Sequence, residues 1–181
     1  MKMKYFKFLF LPIILLIIGI TASCERDDLC PESTPTTPSL IIDAFDINSQ
    51  DDSKNVFGLV VAGVGNTSVL PGYAIVTTNN IILPLKTHED STQFVFINDA
   101  TINDNGTPDD STDDFFDGNQ DTITINYTRE EVYVSRACGY KTIFKNVSIS
   151  IENDSDNWIQ LIQSVNNPQS VENATETHFN L

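Results

Sequence analysis

Residues 121–144 read DTITINYTREEVYVSRACGYKTIF. Apolar Ile123, Ile125 and Tyr127 alternate with Thr124 and Asn126, the period-two pattern of a strand with one dry face. β-branched and aromatic side chains dominate, and these pack well on a pleated surface. The stretch predicts core strands over 122–128, 132–136 and 140–144. Gly139, next to Cys138, predicts a bulge or tight bend where a Cβ would not fit.

Working outward, similar short runs recur at 40–47, 56–62, 73–77, 81–85 and 92–97, each ended by turn residues such as Gly65-Asn66, Pro71-Gly72 and Asn79-Asn80. A long acidic loop is expected over 99–120. Beyond 144, Val147, Ile149 and Ile151 alternate with Ser148 and Ser150, which gives another strand. Trp158, Leu161, Ile162 and Val165 fit helical spacing as well as a strand; with Pro168 close behind, a strand is expected over 158–165, and a last short one over 177–181. Eight to ten short strands predict an all-β domain over 40–181, an antiparallel β-sandwich, immunoglobulin-like or related.

The first 23 residues have another character. A basic start is followed by an apolar run over 8–20, then Thr21-Ala22-Ser23-Cys24. The run is too short for a permanent membrane span, which needs about 20 residues, and reads as a secretion signal. Small residues directly before Cys24 resemble the lipobox of bacterial lipoproteins, which implies acylation of Cys24 and a membrane tether. Glu25-Arg26-Asp27-Asp28 resembles the acidic signal that sends Bacteroidota lipoproteins to the cell surface; the competing expectation is an outer-membrane lipoprotein facing the periplasm. Residues 24–39 then form an acylated start and a Pro/Thr-rich tether, PESTPTTPS at 31–39.

The full chain carries a formal charge of −15; without the leader, which holds Lys2, Lys4 and Lys7 and no acid, 7 basic residues face 25 acidic ones, or −18. Such a charge repels phosphate backbones and excludes nucleic-acid binding. With Cys24 acylated, Cys30 and Cys138 are the remaining thiols in an oxidising compartment. They are expected to form a disulfide, with two unpaired cysteines as the alternative.

The expected loop crowds oxygen donors: Asn103, Asp104, Asn105, Asp109, Asp110 and Asp113. This resembles the Asp/Asn-Gly calcium repeats of extracellular proteins and makes Ca2+ a candidate cofactor, since calcium takes six to eight oxygens. An EF-hand fails, because alignment on Gly106 puts Thr101, Asn103, Asn105 and Thr112 at positions that need acids. The default is a solvated loop. No catalytic residue can be named: His88 and His178 lie in no metal or triad motif, and the chain has no phosphate-binding glycine loop, nucleophile elbow or Cys-x-x-Cys. Trp158 with Tyr73, Tyr127, Tyr133 and Tyr140 would suit the apolar face of a sugar if exposed, though most are expected in the core. Arg136, among many acids, is either a partner anchor or the ion-pair mate of Glu130 or Glu131.

Residues 24–32 (CERDDLCPE), Ile82-Leu83-Pro84-Leu85 and, above all, residues 133–141 (YVSRACGYK) resemble a family of small Bacteroidota lipoproteins, mainly flavobacterial, with no established activity. The resemblance favours pairing of Cys30 with Cys138 and implies no catalytic residues. The expected role is a non-enzymatic envelope lipoprotein that binds or supports a protein partner such as an outer-membrane barrel. The competing expectation is a surface glycan-binding module.

Overall fold

The computed structural model describes residues 29–66 and 68–181; the leader, Cys24 and the acidic segment 25–28 lie outside the described residues. Among those described there is no helix, and the strands are β1 (Leu40–Asp43), β2 (Phe45–Asp46), β3 (Ser49–Ser53), β4 (Val56–Gly63), β5 (Val76–Thr78), β6 (Asn80–Leu83), β7 (Ser91–Asn103), β8 (Phe115–Ser135), β9 (Gly139–Ile151), β10 (Gln163–Ser164) and β11 (Phe179–Asn180). They fall into two compact units: residues 29–34 with Tyr133–Tyr140, and Pro35–Val132 with Lys141–Leu181.

The larger unit is all-β and sandwich-like. One sheet has the order β5-β4-β7-β8-β9, a second the order β10-β11-β1-β6, and β2-β3 is a separate hairpin. Leu40, Ile42, Ile81 and Leu83 from the smaller sheet share one core with Leu59, Val61, Phe96, Ile123, Ile125 and Phe144 from the larger. Their two-residue spacing along each strand is what turns a period-two sequence into one buried layer, and each such side chain contributes about 1.5–3 kcal/mol on burial. Tyr127 continues the buried row: its ring meets Phe144 edge-on at 4.9 Å, and its hydroxyl bonds Thr92 Oγ1 at 2.7 Å and donates to Lys86 O at 2.9 Å. Pairing is antiparallel except between β1 and β11, which run parallel with Ile42 opposite Phe179.

Several expected boundaries move. The acidic loop is shorter than 99–120: β7 runs on to Asn103 and β8 begins at Phe115, pairing Thr101 with Asp117 and Asn103 with Phe115, so only 104–114 is turn. A register shift at 98–101, with Asp99 at φ 51°, lets the ladder continue through a bulge that reads in sequence as its end. Gly118 belongs to that ladder, because a Cβ there would lie 2.7 Å from Asn98 O. The strands expected at 122–128 and 132–136 are one, β8, since exposed Arg129, Glu130 and Glu131 continue it. Those expected at 140–144 and 147–151 are likewise one, β9, with Asn146 at φ 52°. Residues 158–165 are not a strand beyond Gln163–Ser164, because Ile159 N–H donates to a side chain, Asp121 Oδ2, at 2.7 Å. Within the expected tether, Pro38 is buried and Thr37 Oγ1 accepts from Thr142 N–H at 3.0 Å, so residues 35–39 are part of the larger unit.

Candidate functional site

The larger unit carries a groove of about 280 Å³, near the small end of the usual range for ligand sites. Its walls come from five places in the chain: the β2–β3 hairpin (Phe45, Ile47), the start of β4 (Val56, Phe57), the β7 bulge (Asn98, Asp99) and two C-terminal stretches (Trp158, Leu161; Asn180, Leu181). Phe57 is 60% exposed, and the backbone around it explains why. Gly58 sits at φ 57°, and a Cβ on it would lie 3.0 Å from Ala100 N and 3.1 Å from Asp99 Cα. Only glycine lets β4 and the β7 bulge approach this closely, and the resulting register shift between Val56 and Leu59 re-aims the strand end, as bulges do.

The floor is set by a residue that no motif announces. Asp121 is fully buried; its Oδ1 accepts from Asn157 Nδ2 at 3.0 Å and its Oδ2 from Ile159 N–H at 2.7 Å. Asn157 Nδ2 also reaches Glu152 O at 3.0 Å. These bonds clamp both neighbours of Trp158 to β8. Trp158 is half-buried, and its Nε1 is enclosed with no hydrogen-bond partner among the described residues, as is Asn119 Oδ1. A signal for Asp121 does exist in sequence: it is in phase with Ile123, Ile125 and Tyr127, so an acid stands at an inward position.

Polar groups in the groove are mostly amides. Of the two acids there, Asp46 is occupied: Asn48 N–H donates to it at 2.8 Å and Lys54 Nζ lies 3.3 Å away, which together hold its carboxyl below the usual range, the Asn48 bond first. Among the described residues the lining has no hydroxyl, thiol or imidazole; it offers apolar contact, amide hydrogen bonding and the charges of Asp46, Lys54 and Asp99.

The smaller unit holds the cysteines. Cys30 and Cys138, 108 positions apart in sequence, are bonded, S–S 2.02 Å, with Cα atoms 4.9 Å apart. Tyr133 and Tyr140 stand edge to face at 5.4 Å and 68°, both exposed. Arg136 is exposed and makes no ion pair with Glu130 or Glu131. The four tyrosines therefore divide: Tyr127 is buried and Tyr73 is packed against the core with its hydroxyl accepting from Ile82 N–H at 2.6 Å, while Tyr133 and Tyr140 face outward. Trp158 and Arg136 belong to different units.

Apart from Asp109, the calcium candidates are engaged in hydrogen bonds within their own loop. Asp113 accepts from Thr107 Oγ1 at 2.8 Å and Asn105 Nδ2 at 3.1 Å, Asp104 from Gly106 N–H at 3.0 Å, Asp110 from Thr112 and Asn103 from Asn105 N–H; Asp109 is exposed. No group of three His, Cys, Asp or Glu that could hold a metal ion occurs among the described residues. His88 is exposed, whereas His178 is buried, accepts from Ile41 N–H at Nδ1 (3.0 Å) and has its pKa lowered, chiefly by burial, with Glu176 opposing.

A model of a protein family matches residues 58–181; its description reads "Family of unknown function (DUF6452)". No curated protein and no solved structure matches the chain.

Proposed function

The chain belongs to this family of unknown function, and from that premise we propose that it is a non-enzymatic lipoprotein of the cell envelope, of the kind found in Bacteroidota. Acylated Cys24 holds it to the outer membrane, on the cell surface, and its sandwich binds a protein partner there, an outer-membrane protein. The observation that carries the binding reading is the groove: Phe57, Ile47 and Leu161 are each more than a third exposed and share one concave lining with Trp158. Exposed large apolar side chains gathered in a concavity fit the apolar anchors of a protein surface, and the amides beside them offer bonds to its backbone. The leader and the lipobox-like Thr21-Ala22-Ser23-Cys24 support the anchor.

The test is capture of the tagged lipoprotein from detergent-solubilised envelopes, in parallel with Phe57→Asp. A specific outer-membrane protein recovered with the native chain and lost with the variant supports the reading. Equal recovery with both, or none with either, rejects the groove as the binding surface. Replacing Cys24 with serine should release the protein from membranes, and protease shaving of intact cells should remove it. A second reading, a glycan-binding module, has the exposed Tyr133–Tyr140 pair in its favour. Rings at 68° present one face and one edge rather than a flat row, which ranks it below a protein partner.

A further inference from the structure

We propose that the smaller unit is a membrane-seating surface: Leu29, Tyr133 and Tyr140 rest in the headgroup layer of the bilayer that carries the anchor, and the Cys30–Cys138 bond keeps them there. This rests on the acylation of Cys24 proposed above. Leu29 at 82% and Tyr140 at 67% are the two most exposed large hydrophobic side chains among the described residues, and Tyr133 at 58% stands against Tyr140.

Chain length supplies the occupant. Cys30 is six residues beyond Cys24, and at about 3.3–3.6 Å per residue it cannot lie further than about 20 Å from the acylated position. Without the disulfide, the first position bonded into the sandwich would be Thr37, thirteen residues from the anchor. The bond to Cys138 thus brings the turn between β8 and β9 under the short leash.

The described part of this unit holds one acid, Glu32, and one base, Arg136. Its two exposed tyrosines suit the membrane interface, where amphipathic rings settle at headgroup level. Arg136 can extend its guanidinium to phosphate while its stem lies on the apolar layer. The fitting surface is zwitterionic, because the rest of the chain is repelled by anionic lipid.

The experiment uses the acylated full chain reconstituted in phosphatidylcholine vesicles, with Trp158→Phe removing the one native tryptophan and Tyr140→Trp or Tyr133→Trp reporting. Vesicles with brominated acyl chains should lower the reporter's emission about twofold at either position relative to unbrominated ones, and Cys30→Ser/Cys138→Ser should restore most of it. Co-flotation without quenching at either position overturns the seating proposal and leaves the anchor standing, turning attention to a protein cover. Failure to float removes the anchor and this proposal with it.

Discussion

The two turns that flank β8 differ in composition and are held by unlike chemistry. At its N-terminal end, residues 104–114 are closed by their own side chains: Asp104, Asp110 and Asp113 each accept from donors within eight positions. At its C-terminal end, the turn into β9 is tied by a covalent bond to Cys30, 108 positions away. Short-range bonds of the first kind form in the unfolded chain nearly as readily as in the folded one, so they shape a loop without stabilising the fold. A long-range crosslink removes conformations from the whole unfolded ensemble.

That difference is broken most directly by replacing both Cys30 and Cys138 with alanine. For a loop of this length the chain-entropy value is about 4.7 kcal/mol, and a loss of about 2–4 kcal/mol is expected once residual unfolded structure is counted. Denaturant unfolding at constant m-value measures it; an unchanged midpoint would show that the bond does not constrain the unfolded chain.

Between the two turns lies the acid that behaves like neither. Asp121 has its two donors inside the core, so removing it leaves buried N–H groups unpaired, where loop acids would leave theirs to water. Asp121→Ala should cost about 2–4 kcal/mol and shift Trp158 fluorescence to the red, because both neighbours of Trp158 lose their clamp. Asp121→Asn keeps an acceptor for Ile159 and turns an NH2 toward Asn157, and should cost about half as much. Equal and small losses would mean that other contacts hold the groove floor. Gly58→Ala comes next, at about 1–3 kcal/mol, since φ 57° and the Ala100 backbone both exclude a side chain; it should also weaken partner capture by shifting Phe57.

What sequence could reveal follows from the range of the interactions. The alternation at 123–127 reports burial directly, and the cysteine pairing follows by elimination once Cys24 is set aside. The loop is shorter than the expected 99–120 because Asp99 and Gly118, which look like turn residues, each serve a bulge whose partner strand is not visible locally. The groove was not legible at all. Trp158 stood out only as an aromatic, and Phe45, Phe57 and Leu181 meet it through tertiary placement. Tyr133 and Tyr140 alternate like core residues but are exposed and belong to the smaller unit, where period two does not mark a buried face.

Buried and exposed titrating groups extend the comparison to pH. His178 is neutral in the fold, with Ile41 N–H directed at Nδ1, and its pKa lies below the ordinary value near 6.5, first because of burial. The unfolded chain therefore binds a proton that the folded chain refuses. Stability from this residue is complete above about pH 6.5 and falls as pH drops from there toward the folded pKa. His178→Gln, which keeps an acceptor, should flatten the slope in that window; a slope as steep as the native one would assign it to another group.

The smallest effect is expected where charge is densest. Asp113 has its pKa lowered by Thr107 first and then Asn105, yet all three are exposed and water replaces any bond lost. Asp113→Asn should leave the thermal midpoint unchanged, in contrast to Asp121→Asn a few residues along. Because Asp104, Asp110 and Asp113 each serve their own turn, millimolar calcium should also leave proteolysis at 104–114 unchanged, as assembling six or more oxygens would require several of these turns to open together. Calcium-dependent protection would show that they do, and the N-terminal turn would then be held by an ion, though still by residues close in sequence, where the C-terminal one is held across 108 positions.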